Sequence, residues 1–325
     1  MNPETLLKVS GLRKTFQVSA GLFSFKKHEV QAVNGVSFEV NKGEALGIVG
    51  ESGCGKTTLG RVILRLIEPT SGEIYFMGED FLKLEGHELR KKRGLMQIIF
   101  QDSYASLDPR MTVGDLIGEP LDIQKAYPTK KERDGRILEL MDIVGLGKDY
   151  IRRYAHEFSG GQRQRIGIAR ALALKPKLIV CDEPVSALDV SIQAQILNLM
   201  EEIQKSLGVS YIFISHDLSV VKYVSDNVAV MYLGKIVEIA PRNKLYDSSK
   251  HPYTNVLLSA IPIPDTRVKR KKLKFEGEVP SPIDLPSGCC FRTRCPHATQ
   301  VCIDEVPGLT DLGDGHFVAC NQISG

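Results

Sequence analysis

Long apolar runs are missing from this sequence of 325 residues. The longest ones, Leu178–Cys181 and Val228–Leu233, are far shorter than the roughly 18 residues that a membrane-spanning helix needs. The first ten residues also lack the apolar stretch of a secretion signal. We therefore expect a protein of the cytosol that touches a membrane only through its surface or through partners.

A strong net charge is missing as well. The chain has 42 Lys and Arg against 39 Asp and Glu, a formal net charge of +3. This balance argues against nucleic-acid binding as the main activity. The basic run at residues 267–274 is interpreted as a solvated linker, with contact to anionic lipid headgroups as the alternative.

A glycine-rich stretch at residues 50–58 is the most informative part of the sequence. It fits the pattern G-x-x-x-x-G-K-[S/T], follows the apolar run Ala45–Val49 and precedes a helical pattern. This order of strand, loop and helix is typical of a phosphate-binding loop, in which backbone N–H groups and a Lys charge hold phosphate. A glycine-rich turn is the alternative. The residues predicted to bind a nucleotide are Gly50, Ser52, Gly53, Cys54, Gly55, Lys56, Thr57 and Thr58.

Polar side chains follow three further apolar runs. Asp182 and Glu183 come directly after one of them, and Gln101 and His216 have the same position after two others. Ligands gather at the carboxyl ends of strands in a parallel sheet. We therefore expect Asp182 and Gln101, together with the Thr57 hydroxyl, to hold Mg²⁺. Glu183 would be the general base on the attacking water, and His216 would link it to the γ-phosphate.

A second anion site is predicted at Ser159, Gly160, Gly161 and Gln162. Ser is a favourable N-cap, and the two glycines leave backbone N–H groups accessible at the positive end of a helix. One phosphate loop and one separate anion site in the same chain suggest a two-fold dimer in which each site completes the other.

The spacing of apolar residues predicts an α/β fold. Alternation between residues 7 and 40 predicts antiparallel strands with turns at Gly11 and Asn34-Gly35. A period of three to four predicts a helical subdomain at about 102–175, inserted into a P-loop NTPase core with a parallel sheet. The expected domains are an ATP-binding domain at 1–261 and a small irregular Cys-rich domain at 262–325.

Taken together, these motifs resemble the nucleotide-binding subunit of ABC transporters. The resemblance also rests on Phe158, which stands where the family usually has Leu, and on the segment Ser186–Asp189. It implies ATP and Mg²⁺ as cofactors, Ser159–Gln162 on the γ-phosphate bound by the opposite subunit, and Phe16 stacked on adenine. The residues that it places along the dimer seam are Ser186, Ala187, Leu188 and Asp189.

Further motifs are similar to the ATPases of dipeptide and oligopeptide importers. They are Gln97–Asp102, Ser106–Arg110, His251–Thr254 and Gly288–Pro296, and the run 251–262 resembles the second, F-type ATPase of such a pair. The resemblance implies a peripheral protein at the cytoplasmic face of the membrane. Its partners would be two permease subunits, a second non-identical ATPase and, indirectly, an extracytoplasmic peptide-binding protein, with no nucleic acid. Nickel import is one alternative, and a soluble ABC ATPase acting on DNA or ribosomes is another.

Cysteines crowd the end of the sequence. Stretches of 5, 6 and 17 residues separate Cys289, Cys295, Cys302 and Cys320, and Cys290 is a fifth candidate. Disulfides are unusual in the cytosol, so bound metal is predicted. Paired C-x-x-C knuckles of structural zinc are absent, and Cys295-Pro296 is similar to the Cys-Pro of iron-sulfur segments. The resemblance to peptide-importer ATPases favours a [4Fe-4S] cluster; zinc, with His297 or His316 as substitute ligands, is the alternative.

Overall fold

The computed structural model describes residues 4–19, 27–102, 106–261 and 277–323. The basic run at 267–274 and most of the segment around the expected domain boundary at 262 lie outside these ranges. Within them the strands are β1 (Thr5–Ser19), β2 (Lys27–Asn41), β3 (Ala45–Val49), β4 (Ser71–Phe76), β5 (Glu79–Asp80), β6 (Met96–Ile99), β7 (Leu178–Asp182), β8 (Ser210–Ser215), β9 (Asn227–Tyr232), β10 (Lys235–Pro241), β11 (Thr310–Asp311) and β12 (Phe317–Val318).

The helices connect these strands. They are α1 (Lys56–Ile63), α2 (Gly86–Arg93), α3 (Val113–Ile123), α4 (Lys130–Ile143), α5 (Gly160–Leu172), α6 (Val190–Leu207), α7 (Leu218–Val224), α8 (Arg242–Ser248), α9 (Pro252–Ser259) and α10 (Gln300–Asp304). Throughout the ranges given above, no helix combines the length and the apolar character that crossing a membrane requires.

The chain forms two compact units. The first unit comprises Met1–Leu6, Val40–Ala45 and Lys83–Ile214, and the second comprises Leu7–Glu39, Leu46–Leu82 and Ser215–Gly325. The phosphate loop belongs to the second unit, whereas the acidic pair and the predicted second anion site belong to the first.

The first unit contains a parallel sheet and a block of helices. Strand β7 pairs with β6 on one side and with β8 on the other, both in parallel. All five residues of β7 are buried, which explains why its sequence is continuously apolar until Asp182. Helices α3, α4 and α5 contact one another and occupy the stretch where the sequence predicts helices. A complete capping box at Thr129 and Glu132 begins α4.

The second unit contains a mixed sheet in the order β11-β12-β10-β9-β3. Strand β3 runs parallel to β9, and β9 pairs with β10 in an antiparallel manner. The parallel strands and the helices between them confirm the predicted α/β class.

A separate antiparallel sheet has the order β2-β1-β4-β5. The expected turns at Gly11 and Asn34-Gly35 are wrong, because both glycines lie inside continuous strands. Gly11 has φ +56° and coincides with a shift of the β1–β4 register between Ser10 and Arg13. Gly35 has φ +77°. A glycine in this left-handed conformation can produce a bulge instead of a turn. A bulge and a turn have the same signal in the sequence, because both use glycine.

The C-terminal segment, described at residues 277–323, packs within the second unit. Strand β12 extends the sheet at β10, with Val318 opposite Glu238. Glu238 is fully buried and accepts hydrogen bonds from the backbone N–H groups of Lys250 and His251 and from His316 Nε2, at 2.7, 3.1 and 2.7 Å. This network attaches the segment to the sheet through a buried carboxylate whose lone pairs are used.

His251 caps helix α9. Its Nδ1 accepts the Tyr253 N–H at 3.1 Å, which requires an unprotonated ring nitrogen. Burial lowers the pKa of His251 to about 4, so the ring is neutral at pH 7 and the cap is complete. The motif His251-Pro252-Tyr253 thus begins a helix whose Tyr253 side chain is fully buried.

Candidate functional site

The phosphate loop is shaped by two glycines that no other residue can replace. Strand β3 delivers the chain to Gly50, and Gly55, with φ +105°, is the N-cap of α1. A Cβ atom on Gly50 would lie 2.1 Å from the Met231 carbonyl oxygen, and one on Gly55 would lie 2.0 Å from that of Ala32. Such distances are far inside van der Waals contact, so the loop needs glycine at both positions.

Lys56 lies under this loop and is 6% exposed. Its Nζ donates to the carbonyl oxygens of Gly50 and Glu51 at 2.8 and 2.9 Å. These bonds fix an ammonium charge at the N-terminal end of α1, which is itself positive. Ser52 and Gly53 are exposed at the outer turn, and Thr57 and Thr58 are partly exposed on the first turn of the helix.

Cys54 is the buried residue of the loop. Burial raises the pKa of its thiol, so the thiol is neutral. Its backbone carbonyl accepts the Gly234 N–H at 2.9 Å. This residue therefore connects the loop to the turn after β9 through its backbone, which sequence inspection does not indicate.

Two further predicted residues lie in the second unit. Phe16 is half-buried on β1, with Lys14 Nζ 5.1 Å from the ring centroid. His216 is exposed directly after β8. The next residue, Asp217, caps α7 by accepting the Ser219 N–H at 2.7 Å, and this cap fixes the chain direction just after His216.

The first unit brings Gln101 and Glu183 together. Gln101 Nε2 donates to Glu183 Oε2 at 2.8 Å. Asp182, at the end of β7, is 4% exposed, so its carboxylate lies beneath the surface on which Gln101 and Glu183 meet. An amide and two carboxylates at one edge of the sheet provide the oxygen ligands that Mg²⁺ prefers.

Glu183 has a strained backbone. Its φ is +48°, a conformation that is uncommon for a residue with a side chain. Its N–H donates to the Ile214 carbonyl at 2.8 Å, which holds the residue in that conformation. Strain of this kind is found at functional sites. The sequence has no signal for it, because Glu has no preference for positive φ.

The helix that begins at Gly160 has the expected cap. Ser159 Oγ accepts the Gln162 N–H at 3.4 Å, and Gln162 Oε1 accepts the Ser159 N–H at 3.1 Å. The cap and first glycine are exposed. A Cβ on Gly161 would lie 2.5 Å from Ile192 Cγ2, so this glycine is required for packing against α6. Phe158 is 4% exposed and contacts Tyr150 edge to face, as an apolar anchor would.

The segment 186–189 follows the acidic pair and precedes α6. Ser186 Oγ donates to the Glu183 carbonyl at 3.2 Å, and the Leu188 N–H donates to the Val185 carbonyl at 3.1 Å. Ser186, Ala187 and Asp189 are exposed. The segment is thus a tight turn that presents its outer side chains to the surface.

The four predicted cysteine ligands interact with one another in the C-terminal segment. Burial raises the pKa of Cys289 to about 11, and the charges of Cys302, Cys290 and Cys320 add to that effect. Burial likewise raises the pKa values of Cys295 and Cys320, and the charge of Cys302 acts on both. At Cys302 burial also favours the thiol, but hydrogen bonds with Thr299 and Gln322 lower the pKa.

Cys290 packs in the apolar cluster with Tyr232, Tyr253 and Phe291, against which Cys289 and Cys295 also pack. Lys235 is the charge that acts on Cys290. His316 bonds Glu238, as described above, and His297 is exposed. Among the side chains that the structure describes, no group of three or more His, Cys, Asp or Glu is arranged to hold a metal ion. The four thiols therefore interact electrostatically, but their side chains are not arranged as the ligands of a metal ion.

Comparisons with known proteins agree with the geometry. Residues 33–186 match the family model described as ABC transporter, and residues 237–302 match that of the oligopeptide/dipeptide transporter C-terminal region. The chain is similar to the oligopeptide transport ATP-binding protein AppF of Bacillus subtilis, with 52% identity over 99% of both chains. It is also 49% identical to the corresponding protein OppF of Haemophilus influenzae, over 99% of this chain and 98% of that one.

Solved structures share the fold. A dimeric ATP-binding cassette, MJ0796, with ADP and Pi bound has a TM-score of 0.64 and 27% identity, and the alignment covers 73% of this chain and 99% of that one. The protein cbiO1 of Clostridium perfringens has a TM-score of 0.65 and 26% identity, over 75% and 92% of the two chains. Both alignments leave about a quarter of this chain without a counterpart.

Proposed function

Because this chain belongs to the ABC transporter family, among its oligopeptide transport ATP-binding proteins, we propose that it hydrolyses ATP to power the import of di- or oligopeptides. The observation that carries this proposal is the similarity over 99% of the chain to AppF, which includes both the phosphate loop and the C-terminal segment. The predicted family and the predicted ABC-type ATPase activity are confirmed. The sequence favours peptide import, and the oligopeptide transport proteins among the relatives support it over nickel import.

The roles of the individual residues are part of the proposal. The phosphate loop and Lys56 bind the triphosphate. Thr57, Gln101 and Asp182 would hold Mg²⁺, which neutralises phosphate charge when bound. Glu183, oriented by its hydrogen bond from Gln101, accepts a proton from the attacking water.

The remaining nucleotide contacts are proposed in the same way. His216 would bridge Glu183 and the γ-phosphate, and Phe16 would stack on adenine. The cap at Ser159 and the glycine that follows it are exposed at a helix N-terminus, as a site for the phosphate held by a second subunit requires. The exposed turn at 186–189 would run along the seam between the two subunits.

The partners follow from the family to which the chain belongs. We propose that it binds permease subunits at the cytoplasmic face of the membrane, two of them in the predicted assembly, and pairs with a second, non-identical ATPase. ATP binding would close the pair and hydrolysis would reopen it, which moves the permeases. A peptide-binding protein outside the membrane would act indirectly, and nucleic acid has no role. Residues 1–261 and 262–325 are proposed as the ATP-binding and C-terminal domains.

Reconstitution tests this function. The chain, its partner ATPase and the permeases are placed in lipid vesicles, and ATP hydrolysis is measured with the binding protein and either a peptide or Ni²⁺. We expect peptide to stimulate hydrolysis and to be imported, and Ni²⁺ to do neither. Stimulation by Ni²⁺ alone would assign the chain to nickel import.

We further propose that Cys289, Cys295, Cys302 and Cys320 hold a [4Fe-4S] cluster. The crowding of these cysteines near the end of the sequence and the electrostatic interactions among their thiols support this set of ligands. Thiolates are the ligands that such clusters use, and a bound metal would deprotonate the thiols. The side chains would have to rearrange around the cluster, because the described residues contain no group of three or more His, Cys, Asp or Glu arranged to hold a metal ion.

Anaerobic purification tests the cluster. We expect brown protein with about four iron and four acid-labile sulfide per chain, since that is the content of a [4Fe-4S] cluster. Replacement of any of the four cysteines by Ser should abolish the colour, and Cys290→Ser, the matched control, should keep it. Stoichiometric zinc without sulfide would show a zinc site. If the protein contains neither iron nor zinc, both kinds of metal site are ruled out.

A further inference from the structure

Tyr253 of helix α9 and Arg294 of the C-terminal segment both contact Glu51 of the phosphate loop. The Glu51 N–H donates to the Tyr253 hydroxyl at 2.9 Å. The guanidinium of Arg294 donates to both carboxylate oxygens of Glu51, at 2.9 and 3.2 Å. Tyr253 and Arg294 lie 202 and 243 residues away in sequence, yet all three belong to the second unit.

The two partners of Glu51 are held firmly. The Arg294 side chain is only 8% exposed and lies over the Tyr232 ring, 5.9 Å from the centroid. Tyr253 is fully buried and packs against Tyr232 and Phe291, with ring centroids 4.7 and 5.5 Å apart for Tyr253–Tyr232 and Tyr253–Phe291. Because a planar guanidinium fits a carboxylate with two parallel bonds, the Arg294–Glu51 pair fixes orientation as well as distance.

Glu51 affects both the position of Lys56 and the charge of the phosphate loop. It follows Gly50, and its carbonyl is one of the two oxygens that hold Lys56 Nζ. A displacement of Glu51 therefore moves the lysine that meets the phosphates. Its carboxylate also carries a negative charge in a loop that binds a polyanion, and the repulsion would weaken binding unless a cation neutralised it. Arg294 supplies that cation from outside the loop.

We propose that helix α9 and the C-terminal segment form a clamp on the phosphate loop, in which Tyr253 and Arg294 are positioning residues that set the affinity for a nucleoside triphosphate. Arg294 neutralises and orients the Glu51 carboxylate, and Tyr253 fixes the backbone of the same residue. This inference rests on the proposed binding of ATP at the loop. In this proposal the C-terminal segment contributes to nucleotide binding, and that contribution does not require a bound metal.

Equilibrium binding of MgATP to the full-length chain tests the clamp. We expect Arg294→Ala to raise the Kd for ATP about tenfold, as for the loss of one charge-assisted pair. Arg292→Ala is the matched control, because the Arg292 side chain donates to Ser287 within its own segment, and it should leave the Kd unchanged. Far-UV circular dichroism and thermal unfolding identify variants that fail to fold; for these, Arg294→Gln replaces Arg294→Ala.

A double variant distinguishes the loss of the Arg294–Glu51 interaction from a general destabilisation of the protein. Glu51→Gln removes the charge that Arg294 neutralises, so Glu51→Gln with Arg294→Ala should recover most of the affinity. In the assembled transporter Arg294→Ala should raise KM for ATP and leave kcat unchanged, since the lost interaction is uniform binding. Tyr253→Phe should raise the Kd about threefold, as the loss of one neutral hydrogen bond does.

The outcomes distinguish this inference from the proposed function. Lys56→Ala should remove most ATP binding; if it does not, or if the parent chain binds no ATP, the proposed function is wrong. If Lys56→Ala loses binding while folded Arg294→Ala retains the parent Kd, ATP binding stands and the clamp is wrong. A loss in Arg294→Ala that Glu51→Gln does not repair would also overturn it.

Discussion

Glu183→Gln should bind ATP with the parent affinity and hydrolyse it at less than about a hundredth of the parent rate, given the usual 10² to 10⁴ contribution of a general base. Gln has the size of Glu, and its amide oxygen can accept the same hydrogen bond from Gln101. The substitution therefore removes the basic oxygen and little else. Hydrolysis is measured in the assembled transporter, and binding with MgATP on the full-length chain.

The control for this prediction is a carboxylate with no place in the site. Glu201 lies on α6, where it forms an exposed ion pair with Lys205. Glu201→Gln should leave both binding and hydrolysis unchanged, because exposed pairs of this kind contribute little. A Glu183→Gln transporter that retained more than about a tenth of the parent rate would show that another group is the base.

Gly160→Asp should stop hydrolysis at the partner's phosphate loop while ATP at the chain's own loop is hydrolysed as before. Gly160 is exposed at the N-terminus of α5, where the proposal places the γ-phosphate of the other subunit. A carboxylate about 4 Å from that phosphate would cost on the order of 4 kcal/mol at an effective dielectric constant of 20. The partner's rate should fall at least a hundredfold.

Mixed assemblies separate the two loops. Gly160→Asp is combined with a phosphate-loop lysine variant in the same chain or in the partner, so that a single competent loop is measured each time. Gly160→Asn is the matched control, since it has the same size without the charge, and it should reduce the partner's rate much less. Both variants share the near contact with Leu188, which lies 3.2 Å from a Cβ placed at this position. Loss at the chain's own loop, with a normal partner, would refute the two-subunit site.

The phosphate loop was predictable because local geometry and residue type coincide there. Gly50 and Gly55 occupy positions where the neighbouring carbonyl oxygens leave no room for a side chain, so the pattern of glycines in sequence reflects the fold directly. The cap at Ser159 was predictable for the same reason, because it bonds a residue three positions away. By contrast, the turn expected at Gly11 is a register shift within a strand, since a bulge and a turn use glycine alike.

The sequence by itself determined the family, the parallel core and the glycine pattern of the phosphate loop, because each of these depends on short patterns of residue type. Only the tertiary structure decided the left-handed backbone of Glu183, which its hydrogen bond to the Ile214 carbonyl maintains. It also decided the pairing of Glu51 with Arg294 across 243 residues. Local propensity carries no information about such contacts, because their geometry is created by the packing of segments that are distant in the chain.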